Sequence, residues 1–262
     1  MINLFLIIQD TTPIYLIITV ITFILSTLFA VAGFGSASTL VPIYISLGLP
    51  TYIAITSGLM LNIFTLSSAT VSNAKRHYIS WKLGAVILIP AVIMAPIGAI
   101  VSIRSPREVL LLIFAIFLIY SIYNLFKKRN INNSNNTTSK SHIFIGILVG
   151  GLAGFLGGLL GIGGGLIIFP ALAWLETDIK KIGGTIGYIV LFTSFSGLLS
   201  YVTLLKEIDF SLLIIIAITG AIGGFIGSFL MHKLESRIVR ILVAIVIAYV
   251  VIRIILEVAK YI

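Results

Sequence analysis

The stretch GGLLGIGGGLIIFP, Gly157 to Pro170, sets glycines and a proline inside a segment that carries no charge. The uncharged run around it extends from Ile143 to Leu175. As one helix that run would be about 50 Å long, at about 1.5 Å per residue. A bilayer's hydrocarbon core is only about 30 Å thick, and tilt absorbs only part of the difference. The segment is therefore expected to break. Glycine tolerates the dihedrals of a break. Proline lacks an N–H and pushes the residue before it away from helix. Two half-helices meeting at the glycines follow.

The rest of the chain has the same character. Of its 262 residues, 59% are hydrophobic and 10% charged, with a mean hydropathy of +1.21. Ordinary soluble domains carry about 25% charge. Apolar runs at 14–49, 52–73, 79–102, 108–126, 143–175, 182–205, 210–231 and 236–258 read as about eight transmembrane helices of an all-α polytopic membrane protein. The net charge of +9 collects in loops, as expected of residues that orient membrane proteins, and nothing suggests a nucleic-acid module. There is no cysteine, which removes disulfides, thiol redox chemistry and thiolate metal sites. The N-terminal sequence does not look like a cleaved signal peptide. With eight crossings, ten Lys and Arg fall on the terminal side and seven on the other, which favours both termini inside.

The break between halves is the segment KKRNINNSNNTTSKS, Lys127 to Ser141, which reads as a polar, basic, solvated linker. It separates a first four-helix repeat (1–126) from a second (143–262), with the linker at 127–142. GFGSASTLVP (Gly33–Pro42) lies over GIGGGLIIFP (Gly161–Pro170) at an offset of 128, and at 129 Thr56 falls on Thr185 and Gly98 on Gly227. Internal duplication is common in transporter folds, with the binding site where the repeats meet. The sequence leaves open whether the copies are parallel or inverted. An unwound backbone is tolerated in a membrane only where protein buries it or a polar cavity receives it. Half-helix N-termini offer N–H donors and partial positive charge, which suits a small anion.

A duplicated four-span unit opening with G-x-G-[GS]-[GA]-x₄-P resembles the TauE/SafE family of sulfite and organosulfonate exporters. The second copy matches closely, whereas Ser36 and Ala37 replace two glycines in the first. AITSG (Ala54–Gly58) and its counterpart GGTIG (Gly183–Gly187) resemble the family's small-residue, Thr-rich second helix. The resemblance implies an inner-membrane permease for anions such as sulfite or related sulfur compounds.

Candidate substrate-binding residues are Gly33, Gly35, Ser36, Ser38 and Pro42 from the first motif, and Gly161, Gly163, Gly164, Gly165 and Pro170 from the second. Thr56, Ser57, Asn62 and Thr185 join them from the neighbouring spans; Thr193, Ser194 and Ser196 are weaker candidates. The glycines at 150, 154, 158, 220, 224 and 227 have the small-xxx-small spacing of helix packing. GIGGG is not a nucleotide loop: it breaks the G-x-G-x-x-G pattern and lacks a Walker lysine. The three histidines lie at span ends or in loops, so Ser36 and Ser38 have no base, and neither an enzyme nor a histidine metal site is expected. No cofactor is implied. Mid-span Asp, Glu, Lys, Arg and His are lacking as well, so recognition is expected to use neutral dipoles. The expected function is alternating-access transport of a small anion in the cell membrane, most simply sulfite or a related sulfur oxyanion or organosulfonate. A passive channel or a carrier for another small anion or metabolite is the alternative. The expected partners are that substrate and the lipid bilayer. Oligomeric state is left open.

Overall fold

The computed structural model describes residues 18–27, 37–126, 139–175, 179–205 and 210–230, with Leu16, Ile245, Ala248, Val251, Ile252 and Ile255. The described residues are helices and short turns, with no strand among them. In chain order they are α1 (Ile18–Thr27), α2 (Ala37–Ser46), α3 (Thr51–Lys75), α4 (Trp81–Arg104), α5 (Arg107–Phe126), α6 (Ser139–Leu160), α7 (Gly165–Leu175), α8 (Ile179–Leu204) and α9 (Phe210–Leu230). Three stretches are long and apolar enough to cross a bilayer: Trp81–Arg104, Ile143–Leu160 and Lys181–Leu204. Ile18–Thr27, Thr51–Ser67 and Leu213–Gly223 are apolar but shorter.

The segment from 143 to 175 is broken. α6 stops at Leu160, α7 starts at Gly165, and Gly161, Gly163 and Gly164 take φ of +73°, +67° and +77°. Side chains rarely adopt that left-handed region, so glycine is what lets the chain turn here. The prolines behave differently from the sequence expectation. Pro42 lies five positions after Ala37 within α2, and Pro170 five after Gly165 within α7. Pro90 and Pro96 also sit inside α4. A proline in a packed membrane helix removes one ladder bond, and neighbouring helices can satisfy the freed carbonyl. The glycines break the segment and the prolines do not.

Packing follows residue size. Gly150, Gly154 and Gly158 of α6 lie against the backbone of Ile87, Ala91 and Ala95 of α4, each spaced by four. A Cβ at any of these glycines would overlap the facing carbonyl oxygen, and one at Gly98 of α4 would overlap the Phe155 carbonyl. Membrane helices approach this closely only through small residues. The opposite face of α4 presents Ile89, Ile93, Ile97 and Ile100, all exposed, and α9 presents Ile214, Ile218, Ile222 and Phe225. Phe225 is 70% exposed, which fits contact with lipid and not with water. On α9, Gly220 closes onto Leu61 of α3 and Gly223 onto Ser26 of α1. Side-chain surroundings of Gly224 and Gly227 lie outside the described residues.

One glycine has no such duty. A Cβ at Gly183, in the first turns of α8, would meet nothing within 4 Å. Gly183→Ala is therefore expected to raise stability by about 0.5–1 kcal/mol through helix propensity alone. A thermal or denaturant shift in detergent checks this, and a loss of stability would contradict it.

Candidate functional site

The break rests between α3 and α8. Residues 157 to 165 are all buried, so the unwound backbone is shielded from lipid. On one side lies a stripe of α3. A Cβ at Gly161 would stand 2.7 Å from the Ile55 carbonyl oxygen, and one at Gly58 would stand 2.8 Å from the Gly161 carbonyl oxygen. On the other side lies a stripe of α8: Gly165 packs on Ile186 and Val190, and Gly163 on Val190 and Ser194. Behind it, Gly164 abuts the Ala153 carbonyl of α6.

Gly163 is the centre of this arrangement. A Cβ there would be 2.5 Å from Val190 Cγ1, 2.7 Å from Ser194 Oγ and 3.0 Å from Asn62 Nδ2. Asn62 Nδ2 donates to Ser194 Oγ over 3.3 Å, so a hydrogen bond joins α3 to α8 beside the glycine. Asn62 is 1% exposed and Ser194 0%. The other amide atom, Asn62 Oδ1, has no hydrogen-bond partner among the described residues, nor do Ser57 Oγ and Thr70 Oγ1 on the same helix. A buried polar atom without a partner costs about 1–3 kcal/mol, which makes such atoms conspicuous in a folded chain. At the start of α7, the Ile167 and Ile168 N–H groups both donate to the Gly164 carbonyl. Gly165 and Leu166 precede them, and the first N–H groups of a helix have no intrahelical acceptor.

The structure sorts the remaining candidates. Ser38 is buried in the first turn of α2, and Pro42 is buried further along it. Ala37, which opens α2, reaches the same Gly58 that Gly161 touches: the Gly58 Cβ position is 3.4 Å from Ala37 Cβ. Ala37 of the first motif and Gly161 of the second thus meet at one point of α3. Gly33, Gly35 and Ser36 lie outside the described residues, as does the side chain of Pro170. Thr56 Oγ1 donates within its own helix to the Tyr52 and Ile53 carbonyls, over 2.8 and 3.0 Å. Thr185 Oγ1 accepts the Ser80 N–H over 2.9 Å and so holds the turn before α4. Thr185→Val should therefore lower stability by about 1 kcal/mol; unfolding in detergent measures it, and an unchanged midpoint would remove that role.

Two participants, Ser194 and Gly58, carry little local signal in the sequence. Ser194 is a weaker candidate by sequence because its partner, Asn62, lies 132 residues away. Gly58 falls within AITSG, which by sequence is a small-residue pattern. Its match at an offset of 129, Gly187, was the available signal. Further out, the Tyr201 hydroxyl donates to the Gly158 carbonyl over 3.0 Å and satisfies one orphan acceptor at the end of α6. Ser196 Oγ donates to the Val92 carbonyl and Thr193 Oγ1 to the Ile189 carbonyl, both over 2.8 Å. No group of three or more metal-ligating side chains occurs among the described residues.

The site is thus a buried glycine break flanked by neutral polar groups on helices from both sides of the linker. The family described as "Sulfite exporter TauE/SafE" matches residues 18–254. The chain belongs to the TauE/SafE family. It is a family of membrane transporters, and the match spans both glycine motifs. The chain is also 28% identical over 196 residues to a protein of Methanocaldococcus jannaschii named as a probable membrane transporter, covering 73% of this chain and 72% of that one. No solved structure matches the chain.

Proposed function

We propose that this chain is a multi-pass permease of the cell membrane that moves a small anion, sulfite or a related sulfur oxyanion or organosulfonate, by alternating access. On this reading the chain forms about eight crossings in two four-helix repeats, 1–126 and 143–262, joined by the linker at 127–142. The substrate sits where the two glycine motifs converge, and the chain is not an enzyme. One observation carries the reading: the glycine break is buried between α3 and α8, with the Asn62–Ser194 hydrogen bond beside Gly163.

The chemistry supports an anion. Gly165 and Leu166 open α7 and supply N–H groups with the positive end of the helix dipole. Ser194 accepts from Asn62, which leaves its own hydroxyl proton to donate onward. An amide–hydroxyl chain of this kind is polarised cooperatively at low dielectric. In the described conformation the break is closed in, so a substrate enters only when α3 and α8 part.

The test is uptake of labelled sulfite into proteoliposomes holding the purified protein. Saturable uptake, accelerated by sulfite on the opposite side, is expected. Asn62→Leu should lower it by at least about ten-fold, the equivalent of one buried hydrogen bond to an anion. Flux that rises linearly without saturation would make the protein a channel. Transport of other anions but not of sulfite would move the substrate assignment elsewhere.

A further inference from the structure

Of the three partnerless atoms described on α3, two are hydroxyls that can donate to an anion, and the third is left unexplained by the anion reading. Asn62 Oδ1 is an acceptor, it is buried, and it has no partner among the described residues. An anion that offers only acceptors cannot satisfy it. A ligand that carries a proton can.

The charge of the site points the same way. Around the break, α7 carries no titratable residue. On α3, Tyr52 stands near the start and Lys75 is the last residue. On α6, Lys140 and His142 fall in the first turn. On α8, Lys180 and Lys181 fall in the first turn, Tyr188 packs edge-on against Trp81 and Phe192, and Tyr201 is bonded to Gly158. The first motif, Gly33 to Pro42, has no charge either. No described cation faces Gly163. The cost of taking an ion out of water grows with the square of its charge, and neutral dipoles can offset one unit far more readily than two.

We infer that the break selects a singly charged oxyanion that still bears a proton: hydrogen sulfite, and not the sulfite dianion. This rests on the break being the substrate site. The ligand's oxygens accept from the Ser194 hydroxyl and the first N–H groups of α7, and its proton goes to Asn62 Oδ1. The orphan acceptor is thereby satisfied only when the monoanion is bound.

The experiment is sulfite uptake into proteoliposomes across the second ionisation of sulfite, at fixed total sulfite, with protein-free vesicles subtracted. Sulfate, a dianion throughout, and methanesulfonate, a monoanion with no proton to donate, serve as competitors. Uptake is expected to follow the hydrogen sulfite fraction, falling about ten-fold per pH unit above the ionisation. Sulfate should not compete. Methanesulfonate should compete at least about ten-fold less well than hydrogen sulfite. Asn62→Leu should remove that preference, a ratio that does not depend on how much of the variant folds. Uptake that rises as the dianion replaces the monoanion, or sulfate competing as well as sulfite, overturns the inference while the permease reading stands. If sulfite is not carried at any pH, the substrate assignment fails instead, and the ranking of methanesulfonate against sulfate as carried species decides the charge rule alone. Should Asn62→Leu carry nothing, the wild-type pH profile and competition ratio decide.

Discussion

Gly163→Leu is expected to abolish anion uptake, and Gly163→Ala to lower it by more than about ten-fold. Two independent costs add here. The backbone at Gly163 has φ of +67°, where an L-residue is strained by about 1–2 kcal/mol. The added carbon also has no room, since Val190, Ser194 and Asn62 all lie within 3.0 Å of its position. Overpacking of this sort costs about 1–3 kcal/mol, more for leucine. The displaced atoms are the ones that hold α3 to α8, so the damage falls on the site. Gly183→Ala, in the same assay, should transport as the unmodified chain does. A Gly163→Leu protein that carries anions normally would take the break out of the transport path.

Gly154→Leu should produce the largest loss of stability, about 3 kcal/mol or more. The Cβ alone would overlap the Ala91 carbonyl, and the two facing backbones cannot yield as side chains do. Gly151 on the same helix makes the comparison, because a Cβ there meets only Met94 Cγ at 3.9 Å. Gly151→Ala is expected to leave stability unchanged or slightly improved. Unfolding of both variants in mixed micelles gives the difference, and equal midpoints would mean that α4 and α6 do not need their close approach.

The helices were legible because the bilayer imposes long apolar runs, and a charge between runs is hard to misread. The expected runs at 52–73, 79–102 and 182–205 lie within or close to α3, α4 and α8. The break at Gly161–Gly164 was legible from length, since one helix from 143 to 175 would overshoot the hydrocarbon core. Its cause was read less well. Proline rules derived from water-soluble helices gave Pro170 a part that the glycines play. Thr56 and Thr185 were paired by repeat position, yet their hydroxyls make different bonds, one within its helix and one across to Ser80. Repeat matching compares sequence positions alone, and the side-chain partner is set by whichever helix happens to face it. Ser194 shows the reverse: its role comes from Asn62, 132 residues away, and no local pattern encodes that distance.

The seam between α4 and α6 also bears on how the protein is made. α4 is synthesised first, and its strip at Ile87, Ala91 and Ala95 has carbonyl oxygens shaped to receive glycines that do not yet exist. α5 and the residues up to 138 are synthesised before α6 arrives to fill it. Until then the nascent first half has an unfilled groove within the bilayer, open to lipid or to a wrong helix. Insertion is thus a timed event, in which emergence of Gly150 to Gly158 locks what was laid down earlier. A glycine replaced there should be felt at the ribosome and the translocon, as lowered yield, before any finished molecule can be assayed.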